Sequence, residues 1–209
     1  MMSWDFDKTD DNKVEFTKFP EGVTTIRVVD TVPHVRWTHW MPKNMRSITC
    51  PGFKTCPICE IRQAQKANGE QYTHNMGRRL AIQIINRNTG KLEIMEQGVT
   101  VFNDLKDLME DLAEKNKKLI DVDISVRRRG MGKDSTSYRL DIGEESILSP
   151  ADVKLLDEKL DLKEFFVEHT PEQIIAVLNG ADWNETMYPK DDAIVGDIDD
   201  EIEDEVILR

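Results

Sequence analysis

The chain has 209 residues, 39% hydrophobic and 33% charged, with a formal net charge of -12. That length allows one sizeable core with extensions, and no apolar run approaches the roughly 20 residues of a membrane-spanning helix. The acidic opening MMSWDFDKTDD argues against a signal or transit peptide, so a cytoplasmic protein is expected. The charge is unevenly placed: residues 1–19 carry -2, 20–140 carry +6, 141–190 carry -8 and 191–209 carry -8. A basic body followed by an acidic end keeps polyanion binding open, because local fields and not the total steer a ligand to a groove.

Residues 1–19 are polar and weakly patterned and read as a flexible N-terminal arm. Phe19-Pro20-Glu21-Gly22 then turns the chain into VTTIRVVD, a first strand rich in β-branched residues. HVRWTHWM and NMRSITC follow as two short strands, with Pro42 and Asn44 at their turn. Pro57 to Asn68 reads as a helix with a glycine stop at Gly69. In RRLAIQIINRN, Leu80, Ile82 and Ile84 alternate with Arg79, Ala81 and Gln83, predicting one apolar inward face and one polar, cationic outward face. Asn88-Thr89-Gly90 turns this strand into KLEIMEQG, completing a hairpin.

Leu105, Leu108, Met109 and Leu112 recur at helical spacing, so 101–118 should be an amphipathic helix against the sheet. Alternation at Ile120, Val122, Ile124 and Val126 gives a strand, RRRGMGKDST a cationic glycine-containing loop, and TSYRLDI a last strand. Ser149-Pro150 and Thr170-Pro171 place capping hydroxyls before helices at 150–160 and 171–178, and Thr170 with Gln173 fits a capping box. The expected fold is mainly β with flanking helices (α+β): an OB-fold-like barrel, closed or nearly so, at 20–145. C-terminal helices at 146–180 would pack on this core, and 181–209 would be a linker and acidic tail.

All three cysteines, Cys50, Cys56 and Cys59, and two of four histidines, His34 and His39, lie between Pro33 and Glu60. Cys56 and Cys59 enclose Pro57-Ile58 in a tight knuckle that lets two thiolates meet one ion. Cys50 closes a short loop, and a histidine supplies the fourth tetrahedral position. His39 is preferred over His34 because it leaves room for two short strands and a turn before Cys50. Three Cys and one His make a closed shell, so the expected cofactor is one structural zinc ion in a subdomain at about 39–59. An odd cysteine count without a secretory signal speaks against a disulfide, and no thioredoxin-like βαβ setting surrounds the CxxC. A zinc deaminase would pair HxE with PCxxC, and no histidine here is followed by that glutamate.

The metal segment resembles the zinc-containing single-stranded DNA-binding proteins of tailed phages, the gene 32 protein type of T-even phages. The likeness rests on His39 at a strand end, Cys50, a loop, and Cys56-Pro57-Ile58-Cys59 leading into a helix, followed by strand, helix and strand in order, and on an acidic C-terminus. The loop running from Arg127 to Thr136 and returning through Tyr138 is similar to that of a wider group of phage binding proteins. The resemblance implies an OB-fold core that binds single strands without strong sequence preference in phage replication, recombination and repair, inside the infected bacterial host. This chain lacks the basic, serine- and threonine-containing arm which that family uses for cooperative self-association. A monomer or weak self-association is therefore expected, with any cooperativity arising on DNA. Its cysteine loop is also shorter.

A nonspecific single-strand binder needs cations along a backbone path and rings on which bases stack. Candidates are Arg36, Trp37, Trp40, Lys43 and Arg46 near the metal, then Tyr72, Arg78 and Arg79, then Arg127, Arg128, Arg129, Lys133, Tyr138 and Arg139. Trp37 and Trp40 lie three apart in a strand and face opposite sides, so one is core and the other platform. Tyr138 shares parity with Leu140 and Ile142, leaving interior packing and stacking both open. Phe102, Phe165 and Phe166 are assigned to packing. In the tail, Ile198, Ile202 and Val206 recur every four residues between acids, fitting a segment that docks on replication or recombination proteins or lies in the groove as a DNA mimic. The contrasting reading is a zinc-stabilised adaptor or transcription accessory factor working through that tail. No nucleophile with a neighbouring base stands out, so no enzymatic activity is expected.

Overall fold

A computed structural model describes residues 15–130, 132 and 135–187. Most of the N-terminal arm, Lys133, and the tail positions Ile198, Ile202 and Val206 lie outside the described residues. Seven strands form one antiparallel sheet: β1 (Gly22–Val28), β2 (His34–Met41), β3 (Arg46–Thr49), β4 (Met76–Asn86), β5 (Lys91–Gly98), β6 (Val122–Arg129) and β7 (Ser137–Glu145). Helix α1 (Pro57–Asn68) follows β3, and α2 (Val99–Ala113) follows β5. Helices α3 (Pro150–Leu156), α4 (Leu162–Phe165), α5 (Pro171–Leu178) and α6 (Trp183–Met187) trail the last strand. No helix among the described residues is long and apolar enough to cross a membrane.

The long strand β4 organises the sheet. One of its edges carries β5, and the other is shared: β2 pairs with Met76 to Ala81, and β1 with Ile84 to Asn86. Between them the chain advances from Val28 to His34 while β4 steps back only from Ile84 to Ala81, so the surplus residues loop out. Asp30 in that loop accepts from the Gln83 backbone N–H at 2.7 Å, which pins the irregularity. β1 and β2 thus occupy one position across the sheet. Among the described residues no ladder joins the edge strands β3 and β7, so the closed form of the expected barrel is not formed.

The main core lies on one face. Ile26, Val28, Leu80, Ile82, Ile84, Met95, Ile124, Val126 and Leu140 meet Val101, Phe102, Leu105 and Leu112 of α2, as the helical spacing of those leucines requires. The opposite face of β4 departs from the simple alternation expected for it. Ala81, Gln83 and Ile85 are buried as well, because the segment at 160–166 covers them: Leu162 and Phe166 pack on Ala81 and Ile94. Gln83 is satisfied there by a reciprocal pair, donating to the Leu160 carbonyl at 3.0 Å and accepting from its N–H at 2.7 Å. Only Arg79, near the start of β4, keeps the cationic character read from the pattern for this face, and Arg78 is exposed on the other. Helices α3 and α5 begin as their sequences dictate, with Ser149 and Thr170 in capping boxes with Asp152 and Gln173.

On this second face Arg27 is completely buried, and its guanidinium donates to Asp123 at 2.7 Å, to the Ile120 and Ser146 carbonyls and to the Ser146 hydroxyl. Arg87 bridges the same Asp123 to Asp152 of α3, tying the β4 turn to β6 and to the C-terminal helices. Removing one partner of such a network strands a buried charge. Asp123→Ala is expected to lower unfolding free energy by about 3 kcal/mol or more, measured from the denaturant midpoint. A loss within the range of ordinary surface substitutions would show that Arg27 finds other acceptors.

Candidate metal centre and nucleic-acid surface

His39, Cys50, Cys56 and Cys59 converge, with all four ligand atoms within 4.8 Å of one another and all four residues buried. Each is delivered by a distinct local device. His39 sits on β2, Cys50 ends the β3 segment, and Cys56 caps α1, where Pro57 at the first helical position sets the turn that brings Cys59 round. His39 Nε2 lies 3.4 Å from Cys56 Sγ and 3.3 Å from Cys59 Sγ, and the Cys50 and Cys59 sulfurs are 3.7 Å apart. A tetrahedron built on Zn–S of about 2.3 Å and Zn–N of about 2.0–2.1 Å has edges of about 3.6 Å (N to S) and about 3.8 Å (S to S). The donor set therefore fits one tetrahedral metal ion, and its three thiols and one imidazole suit zinc.

The electrostatics agree. Burial pushes the Cys50 and Cys59 thiols up, and burial together with the charge of Arg62 lowers His39 to about 4. Without a cation burial favours the neutral forms of His39, Cys50 and Cys59, and a divalent ion reverses the preference of those two thiols. Its surroundings are dry: Met41, Ile48 and Ile58 enclose it from within the segment, and Ile174, Val177, Trp183 and Met187 cover it from α5 and α6. The last helices thus pack on the knuckle, not on the main core. All four positions come from the protein, so the geometry holds an ion and offers it no water.

The candidate DNA-contacting residues do not form one continuous group. Trp37 is exposed on β2, directly across from exposed Arg78 on β4. Its ring meets Phe53 edge-on, with centroids 5.8 Å apart and planes at 63°. Trp40 points to the opposite side and is half-buried, so of the two alternatives Trp37 is the more open ring. Lys43 is exposed in the β2–β3 turn. Tyr72 is exposed with the Arg62 guanidinium 3.9 Å above its ring, and Arg62 also donates to the His74 carbonyl. At the far end of the sheet Arg127 of β6 lies directly across from Arg139 of β7, and both are exposed, as is Arg129, while Arg139 also pairs with Asp141 two residues on at 3.0 Å.

Other candidates have internal partners. Arg36 donates to Glu96 at 2.6 Å and to Thr49 and lies 4.0 Å over the Phe166 ring. Arg46 reaches Asn184 and the Trp183 ring on α6, and Arg128 donates to the Phe19 carbonyl. Tyr138 stands edge-on to Phe19 and is half-buried at the rim of the core, in keeping with its parity. Arg79 is half-buried across from Arg36. Phe53 escapes the sequence reading because a single phenylalanine in a short loop has no period to betray it. Its position between Gly52 and Lys54, where no strand or helix could bury it, was the available signal.

No family model matches the chain. It is similar to a probable ssDNA-binding protein of Escherichia phage T5, at 26% identity over 140 residues, covering 59% of this chain. The chain spans about half the length of that relative, 53%.

Metal retention should depend on pH in a direction fixed by these groups. Thiols held protonated by burial compete with the ion, so affinity falls as pH falls, measured by transfer of metal to a chromophoric chelator. In the metal-free protein the folded His39 value of about 4 lies below the ordinary 6.5, so the unfolded chain takes up more protons in that interval. Metal-free stability should therefore decline as pH drops from about 6.5 towards about 4. Flat denaturant midpoints across that window would contradict the buried, neutral imidazole.

Proposed function

We propose that this chain is a non-enzymatic, largely sequence-independent single-stranded DNA-binding protein of a phage, working in replication, recombination and repair within the bacterial cytoplasm. The observation that carries this reading is the placement of Arg127 directly across from Arg139, both exposed, with Arg129 beside them. Like charges opposite one another on neighbouring strands destabilise a sheet. Asp141, paired with Arg139, offsets one of the three charges, and a polyanion relieves the rest. Two further observations point the same way: the exposed rings of Trp37 and Tyr72 each sit beside an arginine, and the T5 relative is described as a probable ssDNA-binding protein.

In this reading His39, Cys50, Cys56 and Cys59 hold a structural zinc, which keeps the excursion between β2 and α1 in one shape. The contacts to DNA are shared between Arg127, Arg129, Arg139 and Lys133 at one end and Trp37, Trp40, Lys43, Tyr72, Arg78 and Arg79 at the other. Arg36, Arg46, Arg128 and Tyr138 support the strands that carry them. The acidic tail, through Ile198, Ile202 and Val206, recruits replication or recombination proteins or masks the groove when DNA is absent. The protein is a monomer or self-associates weakly.

A tryptophan-quenching titration with oligothymidylate and a length-matched duplex tests this. Binding should favour the single strand, with log K falling against log salt by about 0.7 per phosphate contacted, and replacing Arg127, Arg129 and Arg139 by alanine should reduce the slope by about 2. Equal duplex affinity would reject the reading. Weak binding that survives the triple substitution would favour the adaptor acting through its tail.

Truncation after residue 190 should strengthen single-strand binding at low salt if the tail masks the groove. Unchanged affinity would leave partner recruitment as its role.

A further inference from the structure

We propose that Trp37, Phe53 and Arg78 form a stacking site for one unpaired nucleobase at the metal end of the sheet, with Phe53 supplied by the turn between two metal ligands. The inference rests on the single-strand reading and adds to it a residue, a place and a dependence on the metal.

The loop from Cys50 to Cys56 is built to present a ring. Thr55 N–H donates to the Gly52 carbonyl at 3.1 Å, closing a four-residue turn whose central residues are Phe53 and Lys54. Cys56 N–H donates to the same carbonyl at 2.9 Å, and the Thr55 hydroxyl reaches back to Pro51. Gly52 has φ of +120°, a region that side-chain-bearing residues rarely enter, so the turn demands glycine there. Phe53 is consequently held outward, 51% exposed, although nothing about the core needs an aromatic ring at that point.

Its neighbour is fixed by the same cluster. The Cys50 N–H donates to the Trp37 carbonyl at 2.7 Å, and His39 is the next residue on the Trp37 face of β2. Three of the four metal ligands therefore set the relative position of two exposed rings that meet at 63°. Two such faces make a corner: a base stacked on one presents its edge to the other, the arrangement aromatic groups favour. Arg78 across from Trp37 and Lys54 beside Phe53 are both exposed and supply the cations for the adjoining phosphates. Partly exposed rings and exposed cations, brought together, match the chemistry of an unpaired nucleotide better than that of a protein core.

Phe53→Ala, at an exposed turn position, separates stacking from folding. The metal-loaded variant should bind oligothymidylate about five-fold or more weakly than the parent, with an unchanged salt slope, and Phe53→Tyr should recover the affinity. Against an oligomer of the same length carrying abasic residues, parent and Phe53→Ala should bind equally. Parental affinity of zinc-replete Phe53→Ala for oligothymidylate, or a deficit that persists on the abasic strand, would overturn the stacking role while leaving single-strand binding intact. Failure of the parent itself to bind single strands would overturn both.

Discussion

The convergence of His39, Cys50, Cys56 and Cys59 on one point is the constraint from which the rest of this molecule's surface follows. Those four side chains come from β2, the end of β3, and the first turn of α1. An ion bound there would add ligation on the order of 10 kcal/mol, as in a small metal domain, to the apolar burial of this segment. Once the ligands are joined, Ile48, Ile58 and Met41 have a fixed surface, and α5 and α6 complete it. The result is a second small core, to which β2 contributes Met41, beside the larger one under α2.

The two cores give the protein two unlike ends. Around the metal, exposed rings accompany single cations: Trp37 with Arg78, Tyr72 with Arg62. At the β6–β7 end, cations dominate and are set against each other. A base needs a flat face and a phosphate needs charge, so the first end suits one part of a nucleotide and the second another. The strut of Arg27, Asp123, Arg87 and Asp152 lies on the second face of the sheet and ties β1, β6 and the β4 turn to α3.

How far this was legible in the chain depends on the range of the interaction. The cysteine spacing, the proline-initiated helix at Pro57, the glycine stop at Gly69 and the caps at Ser149 and Thr170 are all written within a few residues, and each was readable. The choice of His39 was readable too, since strand length limits which histidine can return to the knuckle. What could not be read is long-range. Alternation in β4 shows which side chains share a face, but not that Leu162 and Phe166 will cover the polar one. Arg36 looks like a surface cation until Glu96, sixty residues on, is placed 2.6 Å away. The strand count suggested closure, and only the strand pairing shows that no ladder joins β3 to β7 among the described residues.

The cover supplied by α5 and α6 also bears on the order in which the chain leaves the ribosome. The ligand set is complete once Cys59 has emerged, yet Ile174, Val177, Trp183 and Met187 follow more than a hundred residues later. A nascent chain, synthesised from its N-terminus, therefore has all four ligands before it has the residues that cover them. An ion arriving early would meet the ligands open, and one arriving after α5 and α6 have packed would meet them covered.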